Sequence, residues 1–523
     1  MSQPFYVTTP IYYVNDRPHI GHLYTTTVAD VIARHRRQAG SDVFFLTGTD
    51  EHAAKVADAA AERGIAPLAW ADRNAEIFQS TFGRYGISND DFIRTTEARH
   101  TEKVQRWVAQ LLETGDVYLG EYEGWYDAGE EEYVPDARAE ELGHKSPISG
   151  RELVRKKEKN YFFKLSAYGD ALLTLLEERP TLVQPDARRN EVIGRIREGL
   201  NDVPLSRTGT GDWGIEMPGD PDHRVYVWID ALFNYLSAVD TDARRHYWPA
   251  SLHLIAKDIL WFHAVIWPAL LLALRRVPGN DWIELPRQVY AHSFWISEGR
   301  KMSKTLGNFV DLEKLEDIVS RYGLDALRYY LVSQGPLSVN DADFAAARFD
   351  ELYHAELANK LGNLVSRTLH MNARFADGRV PEPGPTGEPE AALVAAASLA
   401  GRTVAEQMER YQVGRALDAA LELAAATNRY LDEREPWKAA KDPARADTVP
   451  TTLYHCCEAL RLVAHLLVPF LPAAAGEIFA RLGLDGAPWP DDPTRFGGLP
   501  AGLETRKGDA LFPRVERAQP AAG

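Results

Sequence analysis

The clearest chemistry in the sequence lies in two short groups. His19 and His22 bracket Ile20 and Gly21, and Lys301 and Lys304 bracket Met302 and Ser303. The first group falls between an apolar run at residues 5–8 and a segment, residues 22–38, whose apolar positions recur at helical spacing. A helix start offers unbonded amides and the positive end of the dipole, so two imidazoles three residues apart can face one phosphate chain there, and Gly21 lets a purine lie against bare backbone. The second group, completed by Thr305, precedes Gly307 and Asn308, which suit a loop that closes. Taken alone, its two lysines read as solvated surface charges. Taken with the histidines, they predict cleavage of ATP between its α and β phosphates, the departing pyrophosphate being stabilised by cations brought in by loop closure.

These residues need a frame. A strand at 5–8, a helix at 22–38 and a second strand at 43–46 ending at Gly48 form a βαβ unit, which builds a parallel sheet with ligands at the carboxyl ends of its strands. The pattern breaks over 118–161, a stretch of short runs, charges and turn formers that reads as an insertion. It resumes at 225–228 and 253–256, each followed by an apolar helical stretch. Beyond about residue 349 the pattern is helical throughout, interrupted by the Pro/Gly-rich stretch VPEPGPTGEPE. The expected fold class is therefore α/β: a split Rossmann-type parallel-sheet catalytic domain with an inserted knuckle, followed by an α-helical bundle.

Composition narrows the setting. A chain of 523 residues, 45% hydrophobic and 26% charged, is a multidomain globular protein. Lysines and arginines number 59 against 75 acidic residues, a net charge of −16, so any nucleic-acid contact must rest on local basic patches. The two cysteines, Cys456 and Cys457, are adjacent and cannot staple distant segments. The N-terminus lacks a basic segment followed by an apolar core. The longest apolar run, 259–274, falls short of the roughly 20 residues that span a bilayer and contains His263 and Pro268. A cytoplasmic protein without a membrane segment is expected.

Against this background the chain resembles the class I aminoacyl-tRNA synthetases, with residues 19–22 as the HIGH signature and 301–305 as the KMSKS signature, Thr305 replacing the last serine. The stretches FYVTTPIYYVND, FLTGTDEH, YVWIDAL, KMSKTLGN and REPW are similar to the methionyl branch of that family, and such matches run from Pro4 to about Phe470. The resemblance implies activation of L-methionine by ATP, as its Mg2+ complex, and transfer of the aminoacyl group to the 3′-terminal adenosine of initiator and elongator tRNA(Met). It also implies a division into 1–117 and 191–280 for the two catalytic halves and 118–190 for the connective insertion. Residues 281–349 would form the KMSKS loop and stem-contact region, 350–485 an anticodon-binding bundle and 486–523 a C-terminal tail.

Residue by residue, the resemblance implies that His19, His22, Lys301 and Lys304 are catalytic, and that these four with Gly21, Asp258, Ile259, Met302 and Ser303 bind ATP. Ile11, Tyr13, Asp50, Trp228, Tyr235 and His263 are implied around methionine, Asp50 taking the ammonium group. By residue type alone Trp228 and Tyr235 read equally as core aromatics, His263 as a satisfied core histidine and Asp50 as a helix cap. Asn363 and Arg367, four apart on one helix face, are implied with Trp437 as anticodon readers; alone, Trp437 after Pro436 reads as a core aromatic at a helix start. Arg207 reads as either an active-centre support or an ordinary ion pair.

Two departures from the family pattern set further expectations. Ala256 stands where a glycine is usual, crowding the nucleotide slightly. Where zinc-bearing relatives carry Cys-x-x-Cys pairs, this chain has Asp127, Glu130, Ser146 and Ser149, so no soft-ligand cage exists and no structural zinc is expected. With no further domain evident after the bundle, a monomer is expected. Two rival readings are a dinucleotide-cofactor synthase using His-x-Gly-His, whose chains are short and lack such a bundle, and an inactive tRNA-binding relative, disfavoured by the intact His19, His22, Lys301 and Lys304.

Overall fold

The computed structural model describes residues 3–127, 132–134, 136–147, 150–208, 211–302, 307–485 and 494–516. Its centre is a sheet of six parallel strands: β1 (Pro4–Tyr13), β2 (Asp42–Asp50), β3 (Asp91–Arg94), β4 (Val183–Gln184), β5 (Leu252–Ala256) and β6 (Val289–His292), in the order β3-β2-β1-β5-β6-β4. Alternation along β1 sends Phe5 and Val7 to one core and Tyr6 to the other, as a sheet covered on both faces requires. Gly48 in β2 is fixed by close approach, because a Cβ there would meet the Ile93 carbonyl oxygen at 2.0 Å.

The strand order reverses between β1 and β5. Chain leaving β1 enters α1 (Ile20–Gln38) on one side, and chain leaving β5 enters the segment carrying Asp258 and His263 on the other. A crevice at such a reversal is where open parallel sheets bind ligands. The stretch after β5 is irregular: a 3-10 turn (Lys257–Ile259), a π-helical turn (Phe262–Ile266), then α-helix Trp267–Arg275. The π-helical turn contains His263, and such turns concentrate at functional positions.

Two sequence expectations are corrected. Residues 225–228 are not a strand of the central sheet. Strand Asp220–Val225 belongs to a separate three-stranded antiparallel sheet, and the chain becomes helical at α2 (Val227–Ser237), placing Trp228 on a helix. The span 118–190 assigned to the insertion includes Val183–Gln184, which returns to the central sheet as β4 beside β6. The knuckle itself is a long antiparallel hairpin, Val117–Asp127 against Val154–Phe163, closed by a small core of Val134, Ala139 and Leu153 with Trp125 and Leu142 packed on it. Of the four positions expected in place of zinc ligands, Asp127 and Ser146 are buried, and Glu130 and Ser149 lie outside the described residues.

Helices Asn363–Phe375, Glu388–Glu409, Val413–Arg434, Thr448–Leu467 and Pro472–Arg481 build the bundle. The described part of the tail packs back on it: Leu499 and Phe512 are buried, and the buried Glu458 accepts the backbone N–H groups of Gly497 and Gly498 at 2.7 and 2.9 Å. Among the described residues no helix is long and apolar enough to cross a membrane.

The bundle is joined to the catalytic sheet by a buried charge pair. Arg328, on helix Leu324–Gln334, donates to Asp30 on α1 at 2.7 Å and to the carbonyls of Phe470 and Pro469 at 2.9 and 3.1 Å. Burial alone would raise the Asp30 carboxyl, but Arg328, Arg34 and Ser88 hold it below the usual carboxylate range. Removing one partner of a buried pair leaves an uncompensated charge and costs about 3–5 kcal/mol. Arg328→Ala should therefore lower the thermal midpoint sharply, whereas Arg321→Ala, an exposed pair with Asp317, should leave it within a degree or two, both read by scanning calorimetry.

Candidate active site

At the β1/β5 crevice lies a cavity of about 460 Å³. Its walls bring together eleven of the residues picked out from the sequence: Ile11, Tyr13, His19, Gly21, His22, Asp50, Trp228, Tyr235, Asp258, Ile259 and His263. They come from the end of β1, the start of α1, the end of β2, α2 and the irregular turns after β5.

The α1 start fixes its two imidazoles through the backbone. His19 Nδ1 accepts the Gly21 N–H at 3.1 Å, and His22 Nδ1 accepts the His19 N–H at 3.2 Å. A ring nitrogen that accepts cannot hold the proton, so in each neutral ring the proton sits on Nε2. The rings stack 3.8 Å apart, and burial together with the neighbouring His19 pushes the His22 pKa well down. Gly21 makes the arrangement possible, because a Cβ there would press on the His19 ring at 3.0 Å.

Asp50 ends β2, is buried, and pairs in register with Tyr13 at the end of β1. Tyr13 meets Trp228 edge-on at 5.9 Å, and Trp228 stacks on Phe262 at 4.2 Å. Deeper in, His263 Nδ1–H donates to the Ile259 carbonyl at 2.9 Å, leaving Nε2 to accept the Tyr235 hydroxyl at 2.7 Å. Burial pushes His263 down to about 4 and raises Tyr235 well above its ordinary value, so both are neutral near pH 7. The result is a polarizable aromatic wall with one fixed hydroxyl at its base.

Lys301 and Met302 do not line this cavity. Lys301 is exposed on the two-residue strand Arg300–Lys301, and Met302 is half-buried against the larger core; Ser303 and Lys304 lie outside the described residues. Both feet of their loop are nevertheless placed. Asn308 Nδ2 donates to the carbonyls of Ser297 and Lys301 at 3.1 and 3.2 Å, and Lys314 donates to those of Gly307 and Phe309 at 3.0 and 2.7 Å. The downstream foot is stitched to the histidines: Ile20 N–H donates to the Val310 carbonyl at 3.2 Å, and the Phe309 ring meets His19 at 5.2 Å.

Several cavity residues were not anticipated. Tyr12 packs against His22 with ring centres 4.7 Å apart and bonds Thr26 at 2.8 Å. His292, at the carboxyl end of β6, bonds Thr25 at 2.8 Å, and burial pushes it down to about 4. The rule placing ligands at carboxyl ends of strands would have found His292 had β6 been recognised, whereas nothing local marks Phe309. In the bundle, the Arg367 guanidinium sits 5.7 Å over the Trp437 ring and donates to Asp432 at 2.5 Å. Arg367 and Trp437 line a separate cavity of about 270 Å³; Asn363 is exposed and outside its lining.

The buried neutral histidines set a pH dependence. For His263 and His292 the unfolded chain takes up a proton near pH 6.5 and the folded chain only near pH 4. Below pH 6.5 the unfolded state binds more protons, so folding stability is lost as pH falls from about 6.5 to 4, by up to about 3 kcal/mol per ring. Thermal melts across that window should show the loss, and His292→Gln should make it shallower.

Comparisons with known proteins give the family and the fold. The family described as tRNA synthetases class I (M) matches residues 5–142 and 138–369, and the anticodon binding domain of methionyl tRNA ligase matches 380–522. The methionine–tRNA ligase of Caldanaerobacter subterraneus subsp. tengcongensis is 42% identical over 99% of this chain and 80% of its own length; that of Bacillus subtilis is 42% identical over 98% and 78%. The structure of Mycobacterium tuberculosis methionyl-tRNA synthetase in complex with methionyl-adenylate superposes with a TM-score of 0.89 at 38% identity, covering 98% of this chain and all of that one. With both family models matched and 42% identity over nearly its whole length, the chain belongs to the methionyl-tRNA synthetases of class I.

Proposed function

We propose that the 460 Å³ cavity carries out both half-reactions of methionine–tRNA ligation with the residues assigned above. The observation that carries this reading is the shared wall: a stacked imidazole pair at a helix start and a buried carboxylate beside aromatic residues face one space. Asp50 takes the methionine ammonium group, and Tyr13, Trp228 and Ile11 flank the thioether chain. The Tyr235 hydroxyl, oriented by His263, meets its sulfur. A leucine side chain would leave that hydroxyl unmatched, which costs binding.

ATP enters as its Mg2+ complex, with ribose and adenine against Asp258 and Ile259 and the α1 backbone at Gly21. The methionine carboxylate attacks the α-phosphorus in line, and pyrophosphate departs. His19 and His22 donate their Nε2–H groups to the phosphates, and Lys301 with Lys304, supported by Met302 and Ser303, brings positive charge to the leaving group. A terminal ribose hydroxyl of tRNA then attacks the carbonyl carbon of the adenylate, releasing AMP. Most of the acceleration comes from positioning and charge stabilisation, since no side chain forms a covalent bond to substrate in this scheme. In the bundle, Trp437 offers an unpaired anticodon base a face to stack on, while Arg367 and Asn363 bond to base edges in initiator and elongator tRNA(Met).

Two experiments test this assignment. Amino-acid-dependent exchange of pyrophosphate into ATP, run with all twenty amino acids, should respond to methionine and fall by about 100-fold or more in His22→Ala and Lys304→Ala; exchange driven by leucine or unaffected by either change would overturn it. Trp437→Ala should leave exchange intact while weakening aminoacylation of tRNA by about 10- to 100-fold, expressed in KM, as expected for loss of one base-stacking contact.

A further inference from the structure

Beside the main cavity lies a smaller one, of about 240 Å³, lined by none of the residues assigned to methionine or ATP. One wall is the turn after β1, with Asn15, Asp16 and Arg17; the other lies between β2 and β3, with Arg63 in a loop and Trp70 and Arg73 one turn apart on helix Pro67–Arg84. Three guanidinium groups thus face one carboxylate, in a chain whose net charge is −16. Little of that positive charge is committed. The Arg63 guanidinium is preset, lying 4.4 Å over the Trp70 ring and donating to the Ala59 carbonyl at 2.8 Å, while its ion pair with Glu62 is long, 3.6 Å, and exposed. Arg17 meets Glu313 at 4.0 Å with both side chains mostly exposed. Arg73 is exposed and has no acidic partner among the described residues.

This recess is continuous with the chemistry. Asn15 and Asp16 line the main cavity as well, and Arg17 also lines a third space, of about 500 Å³, at the downstream foot of the Lys301 loop beside Gly307, Phe309 and Lys314. The turn that carries Arg17 ends just before His19, so it stands between the imidazole pair, the loop foot and the recess. An anion set free beside His19 and His22 meets Arg17 next, and Arg63 and Arg73 after it. Several guanidinium groups on one small space suit a compact, multiply charged phosphate oxyanion, which they bind through paired N–H donors. A nucleotide or a single-stranded RNA finds no ring to stack on, because Trp70 is buried with Arg63 over its face.

We infer that this recess receives the inorganic pyrophosphate released by activation, as a stepping site through which it leaves and, in the reverse reaction, enters. This assignment rests on the proposed function and adds to it a diphosphate-binding site outside the reaction line. A stepping site eases passage in both directions alike, so its loss slows entry and exit together and leaves the equilibrium of activation where it was.

Methionine-dependent exchange, measured over a range of pyrophosphate concentrations, reads the entry step. Arg73→Ala should raise KM for pyrophosphate by about five-fold or more, Arg73→Glu should raise it further, and Arg73→Lys, keeping the charge, should stay near the parent. KM for ATP and for methionine, and the single-turnover rate of adenylate formation, should remain within about two-fold in all three, which also reports a folded catalytic centre. An unmoved KM for pyrophosphate in Arg73→Glu, or adenylate formation falling in step with it, would each overturn the inference. So would a raised KM for tRNA in aminoacylation with that for pyrophosphate unmoved, which would give these arginines to RNA. Absence of methionine-dependent exchange in the parent would instead overturn the proposed function, so the two failures are distinguishable.

Discussion

Asp30 is fully shielded from water halfway along α1, and its ionised state is the constraint on which the rest of the molecule turns. Its oxygens are shared among Arg34 on the same helix, Ser88 ahead of β3 and Arg328 beyond the sheet, so one carboxylate ties two other segments to α1. Farther along the helix, Arg36 bonds Glu409 through both nitrogens and Gln38 donates to the His465 carbonyl, both in the bundle. The other end of α1 holds His19 and His22. A single element therefore has its histidine-bearing end in the crevice and its opposite end against the anticodon-binding domain, with a buried charge between them that does not tolerate a shift of either.

That rigidity explains how much of the site could be read from the sequence. The α1 start was legible because its chemistry is local: a strand, a turn and a helix place His19, Gly21 and His22 within one turn, and backbone amides orient the rings. Asp50 was legible for a similar reason, being the last residue of a short apolar strand. Trp228 was recognised by family likeness but assigned to the wrong element, because VYVW alternates apolar and aromatic residues well enough for a strand. Its helix is selected by contacts no window of sequence reveals: Asp230, one turn in, is fully buried and accepts from His52 at 2.7 Å and His100 at 2.6 Å. Tertiary partners more than a hundred residues distant thus override the local pattern.

The edge strand β4 and the walls contributed by His292 and Phe309 were missed for the complementary reason. Two residues, Val183 and Gln184, make too short a strand to show periodicity, and they become a strand only because β6 already presents an open edge. The packed tail belongs to the same class: its Pro/Gly-rich composition signals irregular chain, yet Glu458, a buried carboxylate inside the bundle, draws in the amides of Gly497 and Gly498. Irregular backbone is compatible with burial when its N–H groups find such a partner.

The distribution of charge follows from the same logic. A chain of net charge −16 must handle a triphosphate and a polyanionic tRNA without accumulating positive charge overall. In the crevice, His22 is held below its ordinary pKa by burial, and its Nδ1 accepts from the backbone. A fixed cation there would bind ATP, adenylate and AMP alike and slow their release, whereas an oriented neutral N–H adds directionality at smaller desolvation cost. Full positive charge lies outside the crevice, on exposed Lys301 at the loop foot and along a cleft lined by Lys55, Lys156, Arg207 and Arg224. In the proposed scheme activation and transfer need positive charge at different moments, and fixed dipoles at the centre with cations at the periphery would let one cavity serve both without binding any one intermediate too tightly.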